Sequence, residues 1–180
     1  LGLLHERKAE YELAAEHYRR VLDLSTQHDH RRERSYAARH LGFIYHRQGD
    51  LEQARRLFEE SLALRQQIGL KLYIPFAQIA LGDVLLDQGD SAGAMAQYQN
   101  AHQLAGEMDL KAGLISALLS MGYVYKEQQA QPQALECFEQ ARAIAETIGF
   151  RRGIAAATAE IEALSEQQID ESVGGDDVDD

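Results

Sequence analysis

The stretch Leu81-Gly82-Asp83-Val84-Leu85, followed through Ala94, Tyr98 and Ala101, decides the fold. Forty residues earlier the same residue types stand as Leu41-Gly42, Ala54, Phe58 and Ser61. Forty residues later they stand as Met121-Gly122, Ala134, Phe138 and Ala141. A further copy opens the chain as Leu1-Gly2, Ala14, Tyr18 and Val21. Registers that hold along the chain without a slipped residue mark one supersecondary unit copied in tandem.

Each copy holds two apolar-periodic stretches. In the copy quoted, the first runs roughly from Tyr73 to Gln88. Its residues Ile74, Ala77, Leu81, Val84 and Leu85 recur at three- and four-residue steps, the period of a helix face. The second runs from Ser91 to about Glu107, with Ala94, Tyr98, Ala101, Leu104 and Ala105 on one side. Between them stands Gln88-Gly89-Asp90. A glycine there ends a helix in the left-handed conformation, and an aspartate caps the next one. Gln48-Gly49-Asp50 repeats the arrangement. The unit is therefore helix A, tight turn, helix B. Small residues at Gly82 and Ala94 let the two helices approach. The rings of Phe58, Tyr98 and Phe138 are expected to fill the space between successive units. One hairpin cannot bury its own apolar face, so each copy needs the next.

The spacing resembles the tetratricopeptide repeat. That family expects an alanine twelve residues after the helix A glycine, an aromatic sixteen after it and a small residue nineteen after it. Gly42, Gly82 and Gly122 each head such a set. Tyr45 and Tyr125 fill the family's tyrosine position, with Leu85 in its place in the middle copy. The family's tryptophan is missing, and Gln66, Gly106 and Glu146 stand where its helix-ending proline is expected. The copies are forty residues apart rather than about thirty-four. The extra length falls around Ile68-Gly69-Leu70, Met108-Asp109-Leu110 and Ile148-Gly149-Phe150. This is similar to the long variant of polarity and G-protein adaptor scaffolds, and to helical arrays in bacterial signalling ATPases and transcription regulators. The resemblance implies an all-α, right-handed superhelical solenoid of antiparallel helix hairpins.

The resulting organisation is a truncated first repeat over 1–30, repeats over 31–70, 71–110 and 111–150, a C-terminal capping helix over 151–168, and an acidic disordered tail over 169–180. Lys8-Ala9-Glu10 replaces the glycine–aspartate turn in the first repeat, and truncation leaves the inner side of Tyr18 and Leu22 exposed unless upstream chain covers it. The chain starts partway through a helix A and reads as a fragment of something longer. Pro75 fits a helix A that begins just before it, and Pro132 fits the opening turn of a helix B. In the capping helix Glu162 replaces the glycine, which suits a helix with no helix B to receive.

Composition sets outer limits. The chain has 180 residues, 45% of them hydrophobic and 26% charged, enough for a continuous core. A net charge of -11 opposes binding to a nucleic-acid backbone. A lone Cys137 excludes an internal disulfide framework and reads as a packing residue. No apolar run is long enough to span a bilayer, and no secretory signal is visible. A cytoplasmic setting without membrane or nucleic-acid partners is the expectation. His28 and His30 flank a turn, but spacing brings no third metal ligand to them. No phosphate loop, nucleophile elbow or zinc-protease motif is present. The expectation is a non-catalytic chain with no cofactor and no metal.

Function then rests on surfaces. The resemblance implies that helix A residues line a concave groove. By register these are Tyr36, Arg39, Phe43, His46 and Arg47; then Phe76, Ile79, Asp83, Leu86 and Asp87; then Ser116, Leu119, Tyr123 and Lys126. Rings flanked by charge suit a peptide, because rings supply area and charges set register. The carboxylate clamp of chaperone-binding relatives is not carried over, since Phe43, Asp83 and Tyr123 occupy its asparagine slots. A second feature is a ladder of Arg31, Lys71, Lys111 and Arg151, each opening a helix A. Cations there oppose the helix dipole, so local stability does not account for them; the ladder is either surface charge copied with the repeat or an edge able to meet an acidic segment. Two readings follow: a protein-interaction scaffold binding a peptide or protein segment in the groove, or a sensory or autoregulatory segment of a larger signalling ATPase or transcription regulator. In the second, the ligand is a neighbouring domain of the same polypeptide.

Overall fold

A computed structural model describes residues 11–174, with side chains as far as Glu166. The expected end of the first helix A, and the expected turn at Lys8-Ala9-Glu10, lie outside the described residues. All the regular structure described is helical. The chain divides into two compact units, Leu1–Ala101 and His102–Asp180, and the cut falls inside a helix.

The first unit contains α1 (Tyr11–Gln27), α2 (Arg31–Arg47), α3 (Leu51–Gln67), a 3-10 turn over Lys71–Tyr73, α4 (Ile74–Asp87) and the first part of α5 (Ser91–Glu107). The second contains the rest of α5, then α6 (Lys111–Glu127), α7 (Gln131–Thr147) and α8 (Arg151–Gly174). Helix starts thus recur at forty-residue steps, with α2 and α6 in the helix A role and α3, α5 and α7 in the helix B role.

One turn produces this period. Residues Asp29, Gly49, Gly69, Gly89, Asp109, Gln129 and Gly149 all have positive φ. In each case the next amide donates to a carbonyl five residues back, as from His30 to Ser25, Asp50 to Tyr45, Leu110 to Ala105 and Phe150 to Ala145, at 2.8–3.0 Å. This is the Schellman closure, which satisfies carbonyls that the helix end would leave orphaned. A helix of 17 residues and a three-residue link therefore repeat every twenty residues. The aspartates expected as caps act as caps: Asp50 Oδ1 accepts from the Gln53 amide at 3.2 Å and Asp90 Oδ1 from the Gly93 amide at 2.8 Å. Pro75 sits in the first turn of α4, because the segment before it is a 3-10 turn rather than α-helix.

The helix A glycines seat the helix B rings. A Cβ at Gly42 would meet the Phe58 ring at 2.9 Å, one at Gly82 the Tyr98 ring at 2.5 Å, and one at Gly122 the Phe138 ring at 2.6 Å. Each ring therefore rests on the glycine of its own hairpin. Phe138 also joins Ala134 and Leu164 of α8 in one apolar cluster. The core of the first unit gathers Ala14, Ala15, Tyr18, Ala37, Ala38, Leu41, Ile44 and Leu57. Tyr18 is buried, with its ring stacked on His40 at 5.1 Å. Leu22 is partly buried against the same cluster.

In the second unit α8 packs on α7 through Ala157 and Leu164, while Glu162 is exposed. The helix extends to Gly174 rather than ending near 168, because Ile169 to Val173 contains no glycine or proline to stop it. Residues 175–180 of the expected acidic tail lie outside the described residues. Cys137 is buried beside Leu118 and Ala141, and burial pushes its thiol up to about 11, far from the thiolate that nucleophilic chemistry needs.

Candidate functional site

The expected groove residues fall into two sets, one on each unit. On the first unit Tyr36, Phe43, Arg47 and Asp87 are exposed, while Arg39, His46, Phe76, Ile79, Asp83 and Leu86 are half-buried. On the second, Tyr123 is exposed, and Ser116, Leu119 and Lys126 are half-buried. None of them is fully buried, although Leu119 packs against the core of the second unit. The buried residues are their helix neighbours: Ala37, Leu41 and Ile44 on α2, Ala77, Leu81 and Val84 on α4, and Ala117, Leu118 and Val124 on α6. The helical period therefore divides each helix A into a core stripe and an open stripe.

Polar contacts organise the first set. His46 Nε2 meets Asp87 Oδ2 at 2.7 Å, joining α2 to α4. Asp83 lies on the same stripe as Asp87, one turn earlier, and its Oδ1 accepts from the Tyr98 hydroxyl at 2.8 Å. Burial raises the Asp83 carboxyl above the usual aspartate range, although the Tyr98 hydrogen bond and His46 pull it down. The Arg47 guanidinium lies over the rings of Tyr11, at 5.3 Å, and Phe43, at 5.8 Å. Tyr36 packs on His40 at 4.3 Å. The stripe thus carries a ring, Phe43, beside the Arg47 cation, and a carboxylate pair on α4.

In the second set Lys126 Nζ pairs with Glu160 Oε2 at 2.5 Å. Tyr123 shares that carboxylate, and its hydroxyl is raised above the ordinary phenol range by burial and by Glu160. Its ring also packs edge-on against Phe138 at 5.4 Å. Tyr123 is therefore part surface and part core support, a double role that register could not reveal.

The basic ladder is partly local in origin. Arg31 Nε pairs with Asp29 Oδ1 at 3.0 Å and Lys111 Nζ with Asp109 Oδ1 at 2.7 Å. In both, the partner is the left-handed residue of the preceding turn. Where that residue is glycine, at Gly69 and Gly149, the turn offers no carboxylate to Lys71 or Arg151. This corrects the expectation that local structure leaves the ladder unexplained. The His28 and His30 rings lie 5.8 Å apart, and among the described residues no three His, Cys, Asp or Glu side chains come together as metal ligands. Among the described residues no helix is long and apolar enough to cross a membrane.

Sequence reasoning missed one charged group. Arg65, near the end of α3, is only 4% exposed. It stands in the run Arg65-Gln66-Gln67, which reads as a solvated helix end. The one available signal was register, since Ser25, Ala105 and Ala145 hold the equivalent position.

Several solved structures share this fold. The chain aligns with BtubC (BKLC) from P. vanneervenii at a TM-score of 0.71 and 17% identity, covering 100% of this chain and 81% of that one. It aligns with a Rap protein complexed with Competence and Sporulation Factor at 0.79 and 16%, covering 96% of this chain and 49% of that one. For aspartyl phosphate phosphatase F from Bacillus subtilis the values are 0.77 and 13%, covering 98% and 50%. The chain spans about half the length of these last two. No curated protein matches the sequence. Family models described as tetratricopeptide repeat match residues 1–67 and 75–100, together just over half of the chain. With the hairpins, the seated rings and the repeating turn, these matches identify the chain as a member of the tetratricopeptide repeat family.

Proposed function

We propose that this chain is a non-catalytic interaction scaffold that binds a protein or peptide segment on the open stripes of its helices A. The observation that carries this reading is the division of α2, α4 and α6 into a buried stripe and an open one bearing Tyr36, Phe43 and Tyr123. Helices that only needed to pack and be solvated have no use for exposed rings there, and apolar groups rimmed by charge mark interaction surfaces. The Rap relative was solved in complex with a factor, so a chain of this fold takes a partner. A neighbouring domain of the same polypeptide is one candidate occupant. With a single cysteine, and that one buried, the chain suits a reducing compartment, and we place its work in the cytoplasm.

The test is selection of peptides from a displayed library on the wild-type protein, followed by Kd measurement on Phe43→Ala with Phe76→Ala. The expected result is at least about a tenfold loss of affinity, the scale of one lost anchor residue, with circular dichroism unchanged. Unchanged affinity in the folded double variant overturns the assignment, as does a double variant that has unfolded, which would make the two rings core.

A further inference from the structure

Two junctions of the repeat share a tight contact that the α3–α4 junction lacks. At the α5–α6 junction the position equivalent to Arg65 is Ala105, and its Cβ lies 2.9 Å from where a Cβ of Gly113 would stand. At the α7–α8 junction Ala145 meets Gly153 in the same way at 3.1 Å. Between α3 and α4 that tight alanine–glycine contact is replaced by Arg65 and Tyr73, and the start of the next helix becomes the 3-10 turn over Lys71–Tyr73. A cavity of about 370 Å³ opens beside them.

The lining is chemically divided. Val21, Tyr36, Leu70 and Tyr73 supply apolar wall, and three of these, Val21, Tyr36 and Tyr73, are exposed large apolar side chains. Arg65 supplies a buried cation. Its Nη1 donates to the Tyr73 carbonyl at 2.8 Å and its guanidinium lies 5.8 Å from the Tyr73 ring centre. Its Nε has no hydrogen-bond partner in the protein. Burial and the neighbouring cation Arg39 depress its ionisation to about 10, so it remains charged at neutral pH. Arg32 and Glu33, exposed and adjacent, also line the cavity and offset one another. Arg65 is left as the uncompensated charge.

We propose that this cavity is a small-ligand site for a monocarboxylate with an apolar or aromatic body. A carboxylate would give the Arg65 guanidinium an opposite charge, which neither Arg39 nor Tyr73 beside it supplies, and a planar guanidinium suits a carboxylate better than an ammonium does. The volume falls at the small end of ligand cavities, the size of one amino-acid-like body rather than a long peptide. A single negative charge fits better than a phosphate dianion, because Glu33 lines the same cavity. The site is separate from the helix A reading in all but Tyr36, which belongs to both. Neither Phe43 nor Phe76 lines it, so either reading can fail alone.

The probe is N-acetyl-phenylalanine, titrated calorimetrically and by thermal shift against its C-terminal amide and against a pentapeptide ending in phenylalanine with a free carboxyl. The acid is expected to bind at least tenfold more tightly than the amide and to raise the melting temperature. A pentapeptide that binds as well as the acid makes the natural carboxylate a chain end, and one that binds worse makes it a free acid; both uphold the site. Arg65→Met keeps the bulk and removes the charge, and is expected to lose the preference for the acid. Arg65→Ala with Tyr73→Gly introduces the alanine–glycine pair of the α5–α6 and α7–α8 junctions, a geometry the fold accepts, and is expected to abolish binding while keeping helicity. No binding of the acid to wild type up to about 10 mM, above the range of a useful weak site, overturns the proposal. Equal binding of acid and amide, or binding that survives in the double variant, overturns it too.

Discussion

Asp83 shows how one side chain departs from its copies. The positions forty residues either side carry Phe43 and Tyr123, and only here is the aromatic replaced by an acid. Among the three copies headed by Gly42, Gly82 and Gly122, only Tyr98 gives the helix B ring a hydroxyl, where Phe58 and Phe138 have none. The two changes belong together, since the hydroxyl donates to the carboxylate at 2.8 Å. Burial nevertheless holds the Asp83 proton more tightly in the folded chain than in the unfolded one. A carboxyl raised in this way adds stability that is fully present below its unfolded value and is lost as pH climbs through the folded value. Asp83→Asn keeps an acceptor for Tyr98 and removes the charge. It should be more stable than wild type in chemical denaturation at pH 7, with the gap closing near pH 3, where both wild-type states are protonated. A gap that stays constant with pH would assign the effect to packing. The seat of each ring on a glycine was only half legible in the sequence. The spacing showed that glycine and ring belong together, but which surface the ring covers depends on side-chain direction, which spacing does not encode. Arg65 was not legible at all, because one buried arginine in a polar helix end has the same letters as an exposed one.

At the scale of the element, the helices owe their length to their ends. Every described turn uses a left-handed residue, yet only four of the seven are glycine. The forty-residue period was readable because helix, turn and cap residues recur together. That Asp29, Asp109 and Gln129 adopt the glycine conformation was not, because nothing in their identity demands it. Such residues pay about 1 kcal/mol or more for the left-handed region. Asp29 and Asp109 regain part of this by pairing with Arg31 and Lys111. Gln129, at φ 58, has no side-chain hydrogen bond among the described residues to offset it and sits on an exposed turn. Gln129→Gly should therefore stabilise the α6–α7 turn by roughly 0.5–1 kcal/mol and raise the melting temperature by about 1–4 °C. Asp109→Gly should gain less, since it gives up the ion pair. Scanning calorimetry of both variants checks this, and an equal gain at the two sites would show that the aspartate–lysine pair contributes nothing.

Within each unit of the molecule, packing runs between helices that follow one another in sequence: α1 on α2, α2 on α3 and α3 on α4 in the first, α6 on α7 and α7 on α8 in the second. Contacts that skip a helix are sparse. A chain built in this way stores its stability in nearest-neighbour interfaces, so damage should stay near its source. Gly42→Ala supplies local damage, because the added Cβ would stand 2.9 Å from the Phe58 ring and force α2 and α3 apart. Overpacking of this kind costs about 1–3 kcal/mol. In native-state hydrogen exchange, amides of α2 and α3 should then exchange about tenfold faster, the factor that follows from roughly 1.4 kcal/mol. Amides in the middle of α7 should keep their wild-type rates within about twofold, because an interface of α7 with α6 and α8 contains nothing that Gly42 touches. Equal acceleration in α2 and α7 would mean that opening is global, and that the repeats stand or fall as one body rather than by their separate interfaces.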